Sequence, residues 1–209
     1  MRPLLERHGA TASDEELLET YARHEATVEA GDYVSYREVL ALALRGVCHA
    51  HRVEPKPADA HALSKSVGEW PAFPDSAPAL ARLAKRFRLG VITNCDDDLF
   101  ALSNPRLGVT FDWVVTAQQV RSYKPSLRNF EVALERMAVP RDRVLHVAQS
   151  LYHDHVPAKE LGLSTAWINR RGGRPGFGAT PPASATPDLT APDMATFAGI
   201  ALGDAEPAR

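Results

Sequence analysis

Apolar positions in the first seventy residues recur at helical spacing. Leu17, Leu18, Tyr21 and Ala22 form one stripe that runs on to Gly31, and Val39, Leu40, Leu42, Leu44 and Val47 form a second. Ser13-Asp14-Glu15-Glu16 opens the first stripe as a capping box: the serine side chain accepts from the backbone amide three residues on, and Glu16 reaches back. A shorter third helix is expected after Pro57, ending near Val67-Gly68. None of these stretches reads as a strand, so residues 1–72 are expected to form a small helical lobe.

Pro71, Pro74 and Pro78 then fall close together. Proline fixes φ and lacks an amide donor, which makes this stretch a stop signal and a hinge. Asp75 or Ser76 is expected to cap a helix carrying Leu80, Leu83 and Phe87. Beyond it the pattern alternates. Strands are predicted at Leu89–Thr93, Trp113–Thr116, Val144–Ala148 and Thr165–Ile168, with helices around Asp97–Leu102, Ser126–Met137 and His153–Leu161 between them. Strand and helix in alternation predict an α/β domain over residues 73–209, with a parallel sheet covered by helices on both faces. Residues 171–192, rich in Gly, Pro, Ala, Thr and Ser, are expected to be a loose loop, and a last helix near Asp193–Leu202 to dock back on the sheet.

Composition narrows the classes. A chain of 209 residues with 44% hydrophobic content can bury a core, and a net charge of -2 leaves no basic footprint for nucleic acid. No apolar run approaches the roughly 20 residues that span a bilayer, and Arg2-Pro3-Leu4-Leu5-Glu6 is not a signal peptide. Cys48 and Cys95 lie far apart with no CxxC pair, so neither a disulfide framework nor a zinc site is indicated. The expectation is a soluble cytoplasmic protein without nucleic-acid or membrane partners.

The candidate chemistry gathers at strand ends, where open α/β sheets bind ligands. Thr93-Asn94 ends one strand and precedes Asp96-Asp97-Asp98. A hydroxyl and an amide there can grip a carboxylate or phosphate oxygen with the next helix start, or Asn94 or Asp96 can simply cap that helix. Three consecutive aspartates point in different directions on a helix, so they read as a solvated face complementing the helix dipole rather than a metal site. Lys124, before Pro125, is held on a turn, where an ammonium can neutralise a carboxylate nucleophile and a developing anion. Asp154 follows the next strand, with Gln149, Ser150 and Tyr152 nearby, and can orient Lys124, a water or a metal. His153, Asp154 and His155 are adjacent in sequence, a poor geometry for zinc. No Gly-rich phosphate loop or GxSxG elbow is present.

Val91-Ile92-Thr93-Asn94, Ser122-Tyr123-Lys124-Pro125 and His146-Val147-Ala148-Gln149-Ser150-Leu151-Tyr152-His153-Asp154, in that order and spacing, resemble motifs two, three and four of the haloacid dehalogenase superfamily. The wording is nearest its type II, 2-haloacid dehalogenase-like branch. The resemblance covers residues 70 to 170 or so, and the preceding helical lobe resembles that family's cap. It implies a Rossmann-like parallel sheet with a helical cap, and assigns roles by position. Thr93 would bind the substrate's carboxylate or phosphate, and Asn94 would help hold the leaving halide. Lys124 and Asp154 would be the catalytic lysine and the last catalytic aspartate. Gln149 stands where phosphatase members carry an acidic magnesium ligand, and an amide is a poorer ligand for a hard cation. The implied enzyme is therefore a metal-independent hydrolase of a small 2-haloacid or other small organic acid, with no cofactor and magnesium only if the protein is a phosphatase. Related proteins form dimers through the cap, so a homodimer is also implied.

One expected part is missing. The family's first motif, a strand ending in the nucleophilic aspartate and a Gly-Thr turn, has no counterpart, since no Asp-x-x-Gly-Thr pattern occurs in the chain. By resemblance that strand lies mid-sheet, between the strands ending at Thr93 and Ala148. Its loss would leave backbone groups unpaired at about 1–3 kcal/mol each, against a domain stability of roughly 5–15 kcal/mol. The expectation is a truncated chain with Met1 an internal start, inactive alone. The alternatives are a degenerate, non-catalytic binding module and a small-molecule phosphatase. Tyr33, Tyr36 and Arg37 are expected either to line the cleft or to serve as a helix start and its packing.

Overall fold

The computed structural model describes residues 1–174 and 176–204. The lobe comprises α1 (Arg2–Arg7), α2 (Asp14–Glu29), α3 (Tyr36–Ala50) and α4 (Ala62–Ser66), with 3-10 turns at Pro57–Asp59 and Val67–Glu69. The capping box forms as expected: Ser13 Oγ accepts from the Glu16 amide, and Glu16 accepts from the Ser13 amide at 2.8 Å. Amphipathic α2 and α3 bury Leu17, Leu40, Leu44 and Val47 against Leu4 and Leu5 of α1. The two helices approach so closely at Gly46 that a Cβ there would lie 2.5 Å from the His24 ring, which explains a glycine inside α3.

The α/β part runs α5 (Ser76–Leu83), β1 (Gly90–Thr93), α6 (Asp97–Ser103), β2 (Trp113–Thr116), α7 (Ala117–Val120) and α8 (Leu127–Met137). It continues with β3 (Leu145–Ala148), a π turn over Leu151–His155, α9 (Val156–Glu160), β4 (Ser164–Ile168), β5 (Leu189–Ala191) and α10 (Met194–Leu202). All four expected strands are present within a residue of their expected ends. The described strands are parallel, but they form two sheets rather than one: β1 with β2, and β3-β4-β5. No described strand joins β1 to β3.

Two expectations in this part change. The segment expected to be loose carries β5, which pairs in parallel with β4 through Ala166↔Leu189, Trp167↔Thr190 and Ile168↔Ala191. A three-residue strand is too short to show periodicity, and only its partner reveals it. Further back in the same segment, Arg171 pairs with Glu15, and the amides of Phe177 and Gly178 donate to Glu19 and Glu15, so it is fastened to α2. Asp75 is the second correction. It stands at the N-cap of α5 without a side-chain capping bond, and Pro78 lies inside that helix's first turn, where a missing amide costs nothing.

Asp75 instead accepts both guanidinium nitrogens of Arg170, at 2.9 and 3.0 Å, and the Met194 amide at 2.7 Å. The Arg170 hydrogen bonds hold its carboxyl below the usual range against a smaller upward push from burial. Arg170 also packs over the Phe73 ring, 4.0 Å from its centroid. Asp75 of the proline-rich connector is thus tied to Arg170 just past β4 and to the start of α10. Arg170→Ala is expected to cost about 1–2 kcal/mol, since the bidentate pair is only partly exposed. Urea denaturation reads this directly, and a loss below about 0.5 kcal/mol would show that the cluster is ornamental to stability.

Candidate functional site

The carboxyl ends of β1 and β3 converge on one buried ion pair. Lys124 follows β2 and α7 on a turn, and its ammonium donates to Asp154 Oδ1 at 2.7 Å and to the Ile92 carbonyl of β1 at 3.0 Å. Asp154 lies in the π turn after β3 and also contacts His146 Nε2, on β3, at 3.0 Å. Lys124 is 9% and Asp154 6% exposed. Burial alone would push the Asp154 carboxyl up, but Lys124 and His146 prevail and hold it well below the ordinary carboxylate range. It is ionised throughout the neutral range.

Asn94 fastens the lysine's backbone from the other side. Its Oδ1 accepts from the Lys124 amide at 2.7 Å, and its Nδ2 donates to the Lys124 carbonyl at 3.0 Å. The same Nδ2 donates to both carboxylate oxygens of Glu29, at 3.1 and 3.2 Å. The amide expected to hold a leaving halide is therefore engaged by a carboxylate from the lobe, and a halide there would have to replace Glu29. Thr93, which closes β1, makes no side-chain hydrogen bond among the described residues, so its hydroxyl is available to a ligand.

Of the remaining sequence candidates, Gln149 is exposed, and its backbone carbonyl accepts from the Trp167 ring nitrogen at 2.9 Å. Ser150 is buried and committed to the π turn, accepting from the His153 amide at 3.0 Å. Tyr152 lines a cavity of about 340 Å³ with Glu29, Tyr33, Arg121, Tyr123 and Lys124. Lys124 also lines a larger cavity of about 830 Å³ on its other side, together with Asp154 and His146. The ion pair thus sits between two open spaces. Tyr33 reaches the smaller one, whereas Tyr36 turns inward and Arg37 pairs with Asp98 on the surface.

The aspartate run does more than complement a helix dipole. Asp96 is 3% exposed and accepts the Tyr36 and Arg37 amides, both at 3.0 Å, so it caps α3 of the lobe rather than its own helix. Asp97 accepts the Thr116 hydroxyl and the Gln119 amide, both at 2.7 Å. Each carboxylate has a different partner, as consecutive helical positions require. No group of three or more His, Cys, Asp or Glu placed to hold a metal ion occurs among the described residues.

Sequence reasoning missed the carboxylates behind Asn94. Glu25 is 7% exposed, and its Oε1 accepts the Tyr36 hydroxyl at 2.9 Å and the Tyr21 hydroxyl. Burial, with Glu29 nearby, pushes its carboxyl up to about 7. His153 Nε2 lies 3.6 Å from Glu29 Oε2. Glu25 and Glu29 sit four apart on one face of α2, a spacing the sequence does show, but only tertiary packing reveals that this face is buried. His146 alternates outward on β3 toward Asp154 and likewise carried no signal of its own. Burial pushes the Cys95 thiol up to about 12, which removes it as a nucleophile.

A family model described as "Haloacid dehalogenase-like hydrolase" matches residues 50–168 of this chain. The chain belongs to this family. Among haloacid dehalogenase-like hydrolases, (S)-2-haloacid dehalogenase H-109 of Pseudomonas putida is 28% identical over 145 residues, covering 68% of this chain and 64% of that protein. Haloacetate dehalogenase H-2 of Moraxella sp. (strain B) is 28% identical over 167 residues, covering 78% and 72%. The solved structure of L-2-haloacid dehalogenase from Xanthobacter autotrophicus has the same fold, with a TM-score of 0.75 at 18% identity over 94% of this chain and 96% of that one. The alignment with the Pseudomonas putida dehalogenase thus spans just under two thirds of that relative's length.

Proposed function

We propose that the whole protein is a metal-independent hydrolase of small 2-haloacids, and that the 209-residue chain alone does not turn over. The observation that carries this reading is the ammonium of Lys124, buried and fixed between Asp154 and the Ile92 carbonyl where the ends of β1 and β3 meet. A positive group held there needs no reorganisation to steady a carboxylate nucleophile or a substrate carboxylate. The relatives' dehalogenase names give the reaction class.

In this reading an aspartate carboxylate, which the chain does not itself place at the site, attacks the carbon bearing the halogen. The new C–O bond forms as the carbon–halogen bond breaks, and halide leaves with the bonding pair. Water then adds to the carbonyl of the ester, restoring the carboxylate and releasing a 2-hydroxy acid and a proton. Asp154 keeps Lys124 oriented, and Thr93 binds the substrate's carboxylate. The halide departs toward Asn94, and Glu29 must withdraw from that amide for it to do so.

Protein purified from its source cells is expected to release halide from chloroacetate or 2-chloropropionate with a chelator present, and Lys124→Ala to lower kcat/KM by at least about a hundredfold. The recombinant 209-residue chain is expected to release none. Magnesium-dependent phosphate release in place of halide would replace this reading with a phosphatase. Turnover by the 209-residue chain, lost on Lys124→Ala, would sink the statement about the chain alone.

A further inference from the structure

The smaller cavity, about 340 Å³, lies where the helical lobe meets the α/β part. The lobe contributes Glu29 at the end of α2 and Tyr33 just beyond it, and the segment from α7 to α8 contributes Arg121, Ser122 and Ser126. We propose that this cavity binds a short-chain monocarboxylate, held by the Arg121 guanidinium and the Tyr33 hydroxyl. The inference concerns a site separate from Thr93 and holds or fails apart from the dehalogenase reading.

The cavity is lined with donors that lack acceptors. Arg121 has no carboxylate partner among the described residues, and its guanidinium lies over the Tyr33 ring, 5.0 Å from the centroid. The Tyr33 hydroxyl is shut off from solvent and has no hydrogen-bond partner. That of Tyr123, whose ring stacks on it, is spent on the Val34 carbonyl at 2.8 Å. Ser122 accepts from the Asn129 side chain and Ser126 from the Arg128 amide, yet neither hydroxyl donates to a described residue. A buried donor without an acceptor is destabilising, and a ligand oxygen satisfies it.

Arg121 also holds an unfavourable backbone. It follows α7 in the left-handed region, at φ 54, a conformation that glycine adopts freely and a residue with a side chain does not. Its side chain is exposed, so burial in a core does not offset the strain. Strain of this kind gathers at ligand sites.

The lining sets the ligand's chemistry. Arginine's planar fork matches the two oxygens of a carboxylate, a geometry that a spherical halide lacks. Glu29 is the one acidic side chain among the lining residues, and both its oxygens take the Asn94 amide. A dianion would set its second charge against that carboxylate in the same small space, whereas a monoanion would not. Ala30 and Pro125 add apolar surface that suits a short alkyl body.

The test is a proton–nitrogen NMR titration of the purified chain with propionate in chloride-free buffer, following the Arg121 Nε–H signal. A saturable shift is expected, with a Kd on the order of 1 mM. Arg121→Gly should bind at least about tenfold more weakly, while its own Tm equals or exceeds that of the wild type because glycine relieves the left-handed backbone. Tyr33→Phe keeps the ring and should weaken propionate about threefold or more. Succinate and phosphate should also bind about threefold or more weakly than propionate. Absence of saturation overturns the proposal, as does undiminished binding by Arg121→Gly. A shift confined to the Thr93 amide would place the acid at the end of β1 instead, and chloride matching propionate would reduce the cavity to a general anion patch. Either result overturns it. A Tm several degrees lower for Arg121→Gly would show that the guanidinium serves packing on Tyr33, and overturns it too.

Discussion

Lys124→Ala is expected to destabilise the chain by about 3 kcal/mol or more, read from the shift of the urea midpoint at unchanged slope. The ammonium is the nearest counter-charge to a carboxylate that is 6% exposed, and removing it leaves a buried anion that keeps, among the described residues, the His146 contact. The pH dependence follows with a definite sign. A carboxyl whose folded value lies below its unfolded one adds stability above the unfolded value, near 3.8, and loses it as pH falls toward the folded value. The wild-type chain should therefore lose stability on acidification below about pH 4, and Lys124→Ala should lose less over that range because less is there to lose. Adding Asp154→Asn to Lys124→Ala should restore part of the loss, since a neutral amide tolerates burial better than an unpaired carboxylate. A midpoint unchanged within about 1 kcal/mol would show that Asp154 is stabilised by water rather than by Lys124.

The second large effect runs in the opposite direction along the pH scale. Burial lifts the Glu25 carboxyl to about 7 from a reference of 4.5, so the folded chain holds a proton that the unfolded chain gives up. Stability contributed by this group is full below about pH 4.5, falls as pH rises toward 7, and is level beyond. Glu25→Gln keeps an oxygen to accept the Tyr21 and Tyr36 hydroxyls and removes the ionisation. At about 1.4 kcal/mol per pH unit, the variant should exceed the wild type by roughly 3–4 kcal/mol at pH 8 and match it near pH 4. Thermal melts across that range give the comparison, and parallel curves for the two proteins would remove Glu25 as the group responsible. Because Glu29 lies on the same face of α2 and engages Asn94, the ionisation of this cluster bears on how firmly the lobe holds the candidate site.

Periodicity and capping chemistry, both local, determined much of the architecture. The stripe from Leu17 and the Ser13 box specified α2, and the alternation after residue 88 specified four strands and the helices between them. These signals are legible because a helix or strand declares its buried face every three to four or every two residues. Lys124 and Asp154 were legible as strand-end polar residues, and the family resemblance placed them in one site before the fold was in view. Tertiary structure alone decided the rest. β5 is three residues long and exists because β4 offers it an edge. Asp75 and Asp96 look like caps for the helices they precede, yet Asp75 serves Arg170 and Met194, and Asp96 serves the start of α3 sixty residues away. Glu29 looks like a solvated helix residue and instead occupies the Asn94 amide. In each case the deciding partner is distant in sequence, and a side chain's burial and counter-charge depend on that partner rather than on its neighbours in the chain. The division of the described strands into two parallel sheets, β1 with β2 and β3-β4-β5, is likewise a matter of tertiary pairing, which no local pattern in the chain declares.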